Sequence, residues 1–286
     1  MPGPSPSARR IIVNADDLGL CASVNTAIFE VFRAGNLNSA TLMVNMPGAK
    51  DAVDRLQQHP GLAVGLHFCI TEGEALTGPS LLTDADGRFL DRATIAKRTL
   101  RGNGATDLRK EFEAQLEGAR QMGVNPSHCD SHQHVMMLPA VFDAVLPVLH
   151  RDRLPVRLVD PPRGSVTTAL NRPRKAMKQW LNQRFAARNR TRSHVPMNDS
   201  LVSVHDLDSV GPYDGATYAR LLERAPVSDV VEVMVHPYLL GADVTGLYGD
   251  RLAAKMPFLQ RCEAEYHALR GSPVFSEASM INYAQL

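Results

Sequence analysis

Short runs rich in β-branched residues alternate with longer amphipathic stretches along this chain, and no other feature restricts its fold as strongly. The runs are RIIVNA (10–15), SATLMVN (39–45), LAVGLH (62–67), PSHCDSH (126–132), VRLV (156–159), SLVSVH (200–205) and VVEVMVH (230–236). Helical spacing of apolar residues fills 23–34, 48–58, 105–122, 139–150, 215–224 and 251–270. In TDLRKEFEAQLEGARQMG, Thr106 can cap the first turn, Leu108, Phe112, Leu116 and Ala119 share a face, and Gly123 stops the helix. Strands separated by helices pair in parallel, because parallel neighbours need a crossover. About seven such strands in one chain predict an α/β barrel rather than two doubly wound halves. Without a Gly/Ser-rich linker or an internal repeat, residues 10–286 read as a single domain behind a Pro/Ser-rich tail, 1–9, expected to be disordered.

Composition narrows the class without choosing a function. With 44% hydrophobic and 21% charged residues there is ample material for a core, and a net charge of +1 gives no global pull towards nucleic acid or membrane. Cys21, Cys69, Cys129 and Cys262 form no C-x-x-C, which predicts reduced thiols and a cytoplasmic protein. MPGPSPSARR lacks the apolar centre of a signal peptide, and no run nears the roughly 18 apolar residues of a membrane span.

Two segments break the alternation. Residues 68–91 are Gly-, Thr- and Asp-rich, as in a long functional surface loop. Residues 161–195 carry nine Lys and Arg and no acid, reading as an inserted basic helix over 174–188 that buries Ala176, Met177, Trp180, Leu181 and Phe185.

Four strand ends carry metal-capable residues: Asp16-Asp17, His67, His132 with His134, and His236. In parallel α/β folds, groups at the carboxyl ends of strands converge on one face. One carboxylate and two imidazoles suit a divalent ion that keeps positions open for water. The doubled aspartate then has a use, since one carboxylate can bind the ion while its neighbour stays free as a base. His236 could protonate a departing group, and Asp130 and His134 could orient a ligand. A lone aspartate or histidine at a strand end is more often structural, and His59, His128, His150, His194, His205 and His267 are read that way. There is no G-x-S-x-G, P-loop or H-E-x-x-H, and no G-x-G-x-x-G follows the first strand. Glycosidase carboxylates would normally come from two separate strands.

NADDLGL, SATLMVN, GLHFCIT, DSHQHV and EVMVHP, in that order over residues 10 to about 240, resemble the YdjC-type carbohydrate deacetylases, the ChbG/HpnK family. The resemblance implies a distorted TIM-like (β/α) barrel that hydrolyses the acetamide of an N-acetylated sugar or glycoconjugate with Mg²⁺ or Zn²⁺. Carried over by motif, it implies Asp17, His67 and His132 as metal ligands, Asp16 as catalytic base and His236 as acid. DADGRF (84–89) is similar to the hopanoid-associated, HpnK-like branch. Met136 departs from the family's S-H-x-H-V-H, and Pro237-Tyr238 stands where Pro-Gly or Pro-Ala is usual, so the Tyr238 ring would stack on a sugar or simply pack. Asn14, Asn45, Asp130, His134, Arg157 and Tyr238 are expected to touch substrate or support the ligands.

Two rival readings follow. One keeps the metal but cleaves another amide or a phosphoester. The other is a non-catalytic protein that docks an anionic surface or nucleic acid through Arg174, Lys175, Lys178, Arg184, Arg188, Arg190 and Arg192 on the 174–192 helix, against the plainer reading of a solvated face over the barrel mouth. No nucleic-acid partner is expected, and a homodimer would be the commonest symmetric assembly.

Overall fold

β1 (Arg10–Leu18) is buried at every position after Arg10, as a parallel strand covered on both faces must be. Along one edge, Ile11 to Ala15 pair with β6 (Val231–Val235). Along the other, Asn14 to Leu18 pair with β2 (Ser39–Leu42). β3 (Ala63–Phe68) and β4 (Cys129–Ser131) continue the sheet beyond β2, and β5 (Ser200–Val202) lies beyond β6, all in parallel. The computed structural model describes residues 9–162, 173–207, 210–226, 229–271, 273–275 and 278–286. Of the tail expected at 1–9, only Arg9 falls among these, and its guanidinium donates to the carbonyls of Ala225 and Pro226 at 2.9 and 3.1 Å. Part of the expected basic insertion, 163–172, also lies outside the described residues.

The curled sheet has seven strands, as expected, but not the same seven. VRLV (156–159) forms no regular strand, because Val156 makes only single bridges to Cys129 and Met197. The Asn198 side chain takes both backbone groups of Leu158, accepting its N–H at 2.7 Å and donating to its carbonyl at 3.0 Å, so that rung of a ladder is filled by an amide. Arg157 N–H still donates to Cys129, and Leu201 N–H to Asp160, both at 3.0 Å. This extended segment thereby joins β4 to β5 and closes the distorted (β/α) barrel. The strand that sequence patterning misses is β7 (Ser279–Met280), which pairs with Arg10 and Ile11.

The helices are α1 (Ala22–Arg33), α2 (Ala49–Leu56), α3 (Arg92–Arg98), α4 (Ala105–Gln121), α5 (Pro139–Asp152), α6 (Pro173–Arg192), α7 (Gly215–Leu222), α8 (Ala242–Gly246) and α9 (Leu252–Leu269). On α4, Leu108, Phe112, Leu116 and Ala119 are buried as predicted, but Gly104 at φ 68° leads in and no side chain caps the turn. The loop before α3 is pinned to α4 by Glu111, whose carboxylate accepts from the backbone of Leu76 and Thr77 and from the Thr77 hydroxyl. All four cysteines are buried free thiols. No helix among the described residues is long and apolar enough to cross a membrane.

α6 corrects the expected packing. Met177, Trp180 and Leu181 are 56, 50 and 38% exposed, while Ala176 and Phe185 are half-buried. The helix is held by its other half. Ala186 packs with Met137, Leu158, Val159, Leu201 and Met234, and Arg188 and Arg192 both bind Asp143, at 2.6 and 2.8 Å. Anchoring there leaves the first half riding on the rim with its large apolar side chains outward.

Candidate metal centre

The two aspartates sit in a bulge. Pairing of β1 with β2 shifts register between Ala15 and Leu18, and Asp17 takes a left-handed φ of 66°. A bulge turns consecutive side chains out of simple alternation, so both carboxylates can point at the same end of the barrel. Gly19, at φ 90°, closes the bend where a Cβ would lie 2.9 Å from the Met43 carbonyl. Its N–H is received by Asn25 Oδ1 at 2.7 Å.

Asp17, His67 and His132 present donor atoms within 4.8 Å of one another. Asp17 Oδ1 is 2.9 Å from His132 Nδ1 and 3.1 Å from His67 Nε2. The His132 contact is a hydrogen bond, whereas His67 Nε2 is too poorly aligned for one and stays buried without a partner. The second oxygen of Asp17 accepts the Tyr238 hydroxyl. Behind His67, Nδ1 meets Asp130 at 2.6 Å, and Thr41 donates to the other Asp130 oxygen at 3.0 Å. Such contacts are the outer support that a ligating imidazole would use.

Electrostatics favour a cation here. Burial works against charge on His67, yet Asp130, with Asp17, raises its pKa well above the usual imidazole range. Burial would likewise raise Asp17, but His132 and His67 hold its carboxyl well below the ordinary value. A divalent ion would satisfy the same field with His67 as a neutral ligand. Two other groups have comparable spacing, Asp16–His67–Asp130 and His205–His236–Glu265. In the first, Arg157 already supplies the positive charge. In the second, Glu265 is engaged by the His236 backbone N–H at 2.6 Å and the Tyr218 hydroxyl at 2.9 Å. The donor set of Asp17, His67 and His132, one carboxylate and two imidazoles, could hold a metal ion.

Asp16 is not the free carboxylate that the sequence suggests. Arg157 clamps it through both terminal nitrogens, at 2.8 and 2.6 Å, and Asn14 donates to it at 3.2 Å. Burial would raise its pKa, but the Arg157 charge prevails and holds it well below the usual carboxylate range. The same guanidinium reaches Asp130 at 2.7 Å and Glu232 at 2.7 Å, so three acids share one buried cation. Burial pushes Glu232 up to about 7 in spite of Arg157. The Tyr283 hydroxyl donates to its other oxygen. His236, at the end of β6, places Nε2 3.7 Å from Asp16 Oδ2, and burial lowers its pKa.

The remaining expected site residues are distributed around this centre. Asn14, fully buried, also accepts from Ser39 at 2.7 Å. Tyr238 is fully buried, so its ring packs and offers no face to a sugar. Asn45 donates to the carbonyls of Glu72 and Glu74, at 3.0 and 3.3 Å, at the wall of a groove of about 1130 Å³. Gln133, next to His132, and Tyr248 line that groove too. His134 has its Nδ1 buried and unbonded, and burial lowers its pKa to about 3. It lines a second hollow of about 390 Å³ with His205, Arg174 and Lys178. Neither hollow is lined by Asp17, His67 or His132 themselves.

His205, which the sequence assigns to the structural histidines, holds its ring 4.8 Å from that of His236. Glu232, Tyr283, Thr41 and Glu265 were not singled out. A signal existed for Glu232 alone, a charge inside the otherwise apolar run VVEVMV. His128 is stacked on Tyr283 at 4.3 Å with its pKa brought down by burial to about 3.

Comparison with known proteins agrees with this architecture. A carbohydrate deacetylase of Geobacillus stearothermophilus is 42% identical over 151 residues, which span 53% of this chain and 60% of that protein. A chitooligosaccharide deacetylase of Yersinia enterocolitica is 31% identical, with 79% of this chain and 81% of that protein covered. A crystal structure from Enterococcus faecalis V583, named for cellobiose-phosphate cleavage, superposes with a TM-score of 0.74 over 98% of this chain and 99% of its own. At 19% identity that likeness speaks to the fold alone. The model of the YdjC-like protein family matches residues 10–277, almost the whole described barrel, and the chain belongs to that family.

Proposed function

We propose that this protein is a metal-dependent hydrolase that removes the acetyl group from an N-acetylated amino sugar, oligosaccharide or glycoconjugate. The observation that carries the reading is the meeting of Asp17, His67 and His132 within 4.8 Å beside the Asp16–His236 pair. Names of relatives at 42 and 31% identity supply the substrate class. Asp17, His67 and His132 would hold Mg²⁺ or Zn²⁺; two imidazoles lean towards zinc, and the family resemblance allows both. Such an ion would lower the pKa of water towards about 7 and polarise the acetyl carbonyl.

Asp16 accepts the proton of the attacking water, kept ionised and oriented by Arg157. The water oxygen bonds to the acetyl carbon, the C–N bond breaks, and His236, 3.7 Å from Asp16, passes the proton taken there to the amine nitrogen. That nitrogen is too basic to leave unprotonated. Acetate and the free amino sugar are the products.

The test is acetate release from chitooligosaccharides and a panel of N-acetyl sugars, with metal content measured in parallel. His132→Ala should lose metal and activity together. Asp16→Asn should keep its metal and lose at least about 100-fold in kcat. Normal turnover by Asp16→Asn would sink the base assignment, and inactivity of metal-loaded protein across the whole panel would sink the substrate class.

A further inference from the structure

The first half of α6 carries a surface that neither the barrel nor the metal centre explains. Eight large hydrophobic residues stand exposed among the described residues, and Met177, Trp180 and Leu181 are three of them, at i, i+3 and i+4. They therefore form one contiguous face rather than scattered exceptions. One turn further along this face Arg184 covers the Trp180 ring at 5.0 Å, and Arg174 and Lys178 stand along one flank. Residues 173–192 contain seven Lys and Arg and no Asp or Glu. Arg188 and Arg192 are taken by Asp143, Arg190 bonds to the carbonyls of Asn198 and Asp199, and Lys175 to that of Asp206. No ion pair among the described residues engages Arg174, Lys178 or Arg184.

We propose that this face docks the protein on an anionic lipid surface, lying in the plane of the headgroups. An apolar strip that includes an aromatic, with cations along its flank and at its end, is the arrangement of an interfacial helix, whose apolar side enters the headgroup boundary while Lys and Arg reach the phosphates. The charge chooses among occupants. A second copy of α6 would bring like charges together, and a nucleic-acid face would have no use for Met177 and Leu181 at its centre. Docking here also sets the hollow containing His134 and His205 at the membrane plane, because Arg174 and Lys178 line both. The inference stands apart from the hydrolase reading, since it rests on the outer face of α6 alone.

Trp180 is the single tryptophan of the chain, so intrinsic emission reports on this face directly. The intact protein is titrated with vesicles of phosphatidylcholine, with and without phosphatidylglycerol, at low salt. With phosphatidylglycerol present, emission should shift to the blue and be quenched by brominated acyl chains, and added salt should weaken both effects. Arg174→Glu with Lys178→Glu should lower partitioning at least about tenfold. Met177→Ser with Leu181→Ser should abolish the shift while circular dichroism stays unchanged. Unaltered emission on vesicles overturns the proposal, as does undiminished vesicle binding by the Met177/Leu181 variant. A shift that follows protein concentration without lipid would give the face to a second copy, and an equal shift with duplex DNA would give it to nucleic acid. Either result also overturns it.

Discussion

Asp16 and Asp17 are adjacent in sequence but face different partners, Arg157 on one side and two histidines with Tyr238 on the other. Tyr238→Phe removes the donor on the second Asp17 oxygen without changing the packed ring. Metal affinity should fall about 10- to 100-fold, read by competition with a chelator, with little change in fold. Glu232 makes a separate prediction. Its folded pKa, about 7, lies above the ordinary 4.5, so the folded state binds its proton more tightly. Its stabilising contribution is complete below pH 4.5 and is lost as pH rises to about 7. Urea melts should show wild-type stability falling over that window by on the order of 3 kcal/mol relative to Glu232→Gln, whose profile should be flatter. At this scale the strand-end donors were legible because parallel topology alone gathers them. The partnership of Arg157 with Asp16 was not, since 141 positions separate them and no local pattern joins them.

Among the elements, β3 shows how close approach governs composition. A Cβ at Gly65 would lie 2.5 to 2.7 Å from the ring and carbonyl of His128. Gly65→Ala should cost about 1–3 kcal/mol through overpacking, measured by denaturant unfolding, and should disturb β4 beside it. Strand and helix positions were largely readable from periodicity. The exceptions have physical causes. VRLV carries strand propensity, but Asn198 substitutes for its neighbour's backbone, and two-residue β7 is too short to have a period. In α6 the spacing that predicts a buried stripe is real, but it cannot say whether a core or something outside the chain covers it.

For the whole molecule, a metal at this centre would be coupled to stability. The candidate ligands come from β1, β3 and the turn after β4, so an ion binding only the folded form would add RT ln(1 + [M]/Kd), about 2.7 kcal/mol at one hundred times Kd. Chelation should lower the melting temperature by several degrees, and re-addition of the cognate ion, Mg²⁺ or Zn²⁺, should restore it. A melt indifferent to chelator would argue against a resident metal. Tyr283 adds a consequence of another kind. It stacks on His128 and holds Glu232, which braces Arg157 behind Asp16. During synthesis all of these partners leave the ribosome before it does. A nascent chain that stops short of Tyr283 should leave one Glu232 oxygen without its hydroxyl donor, so the support behind Asp16 is completed last in synthesis.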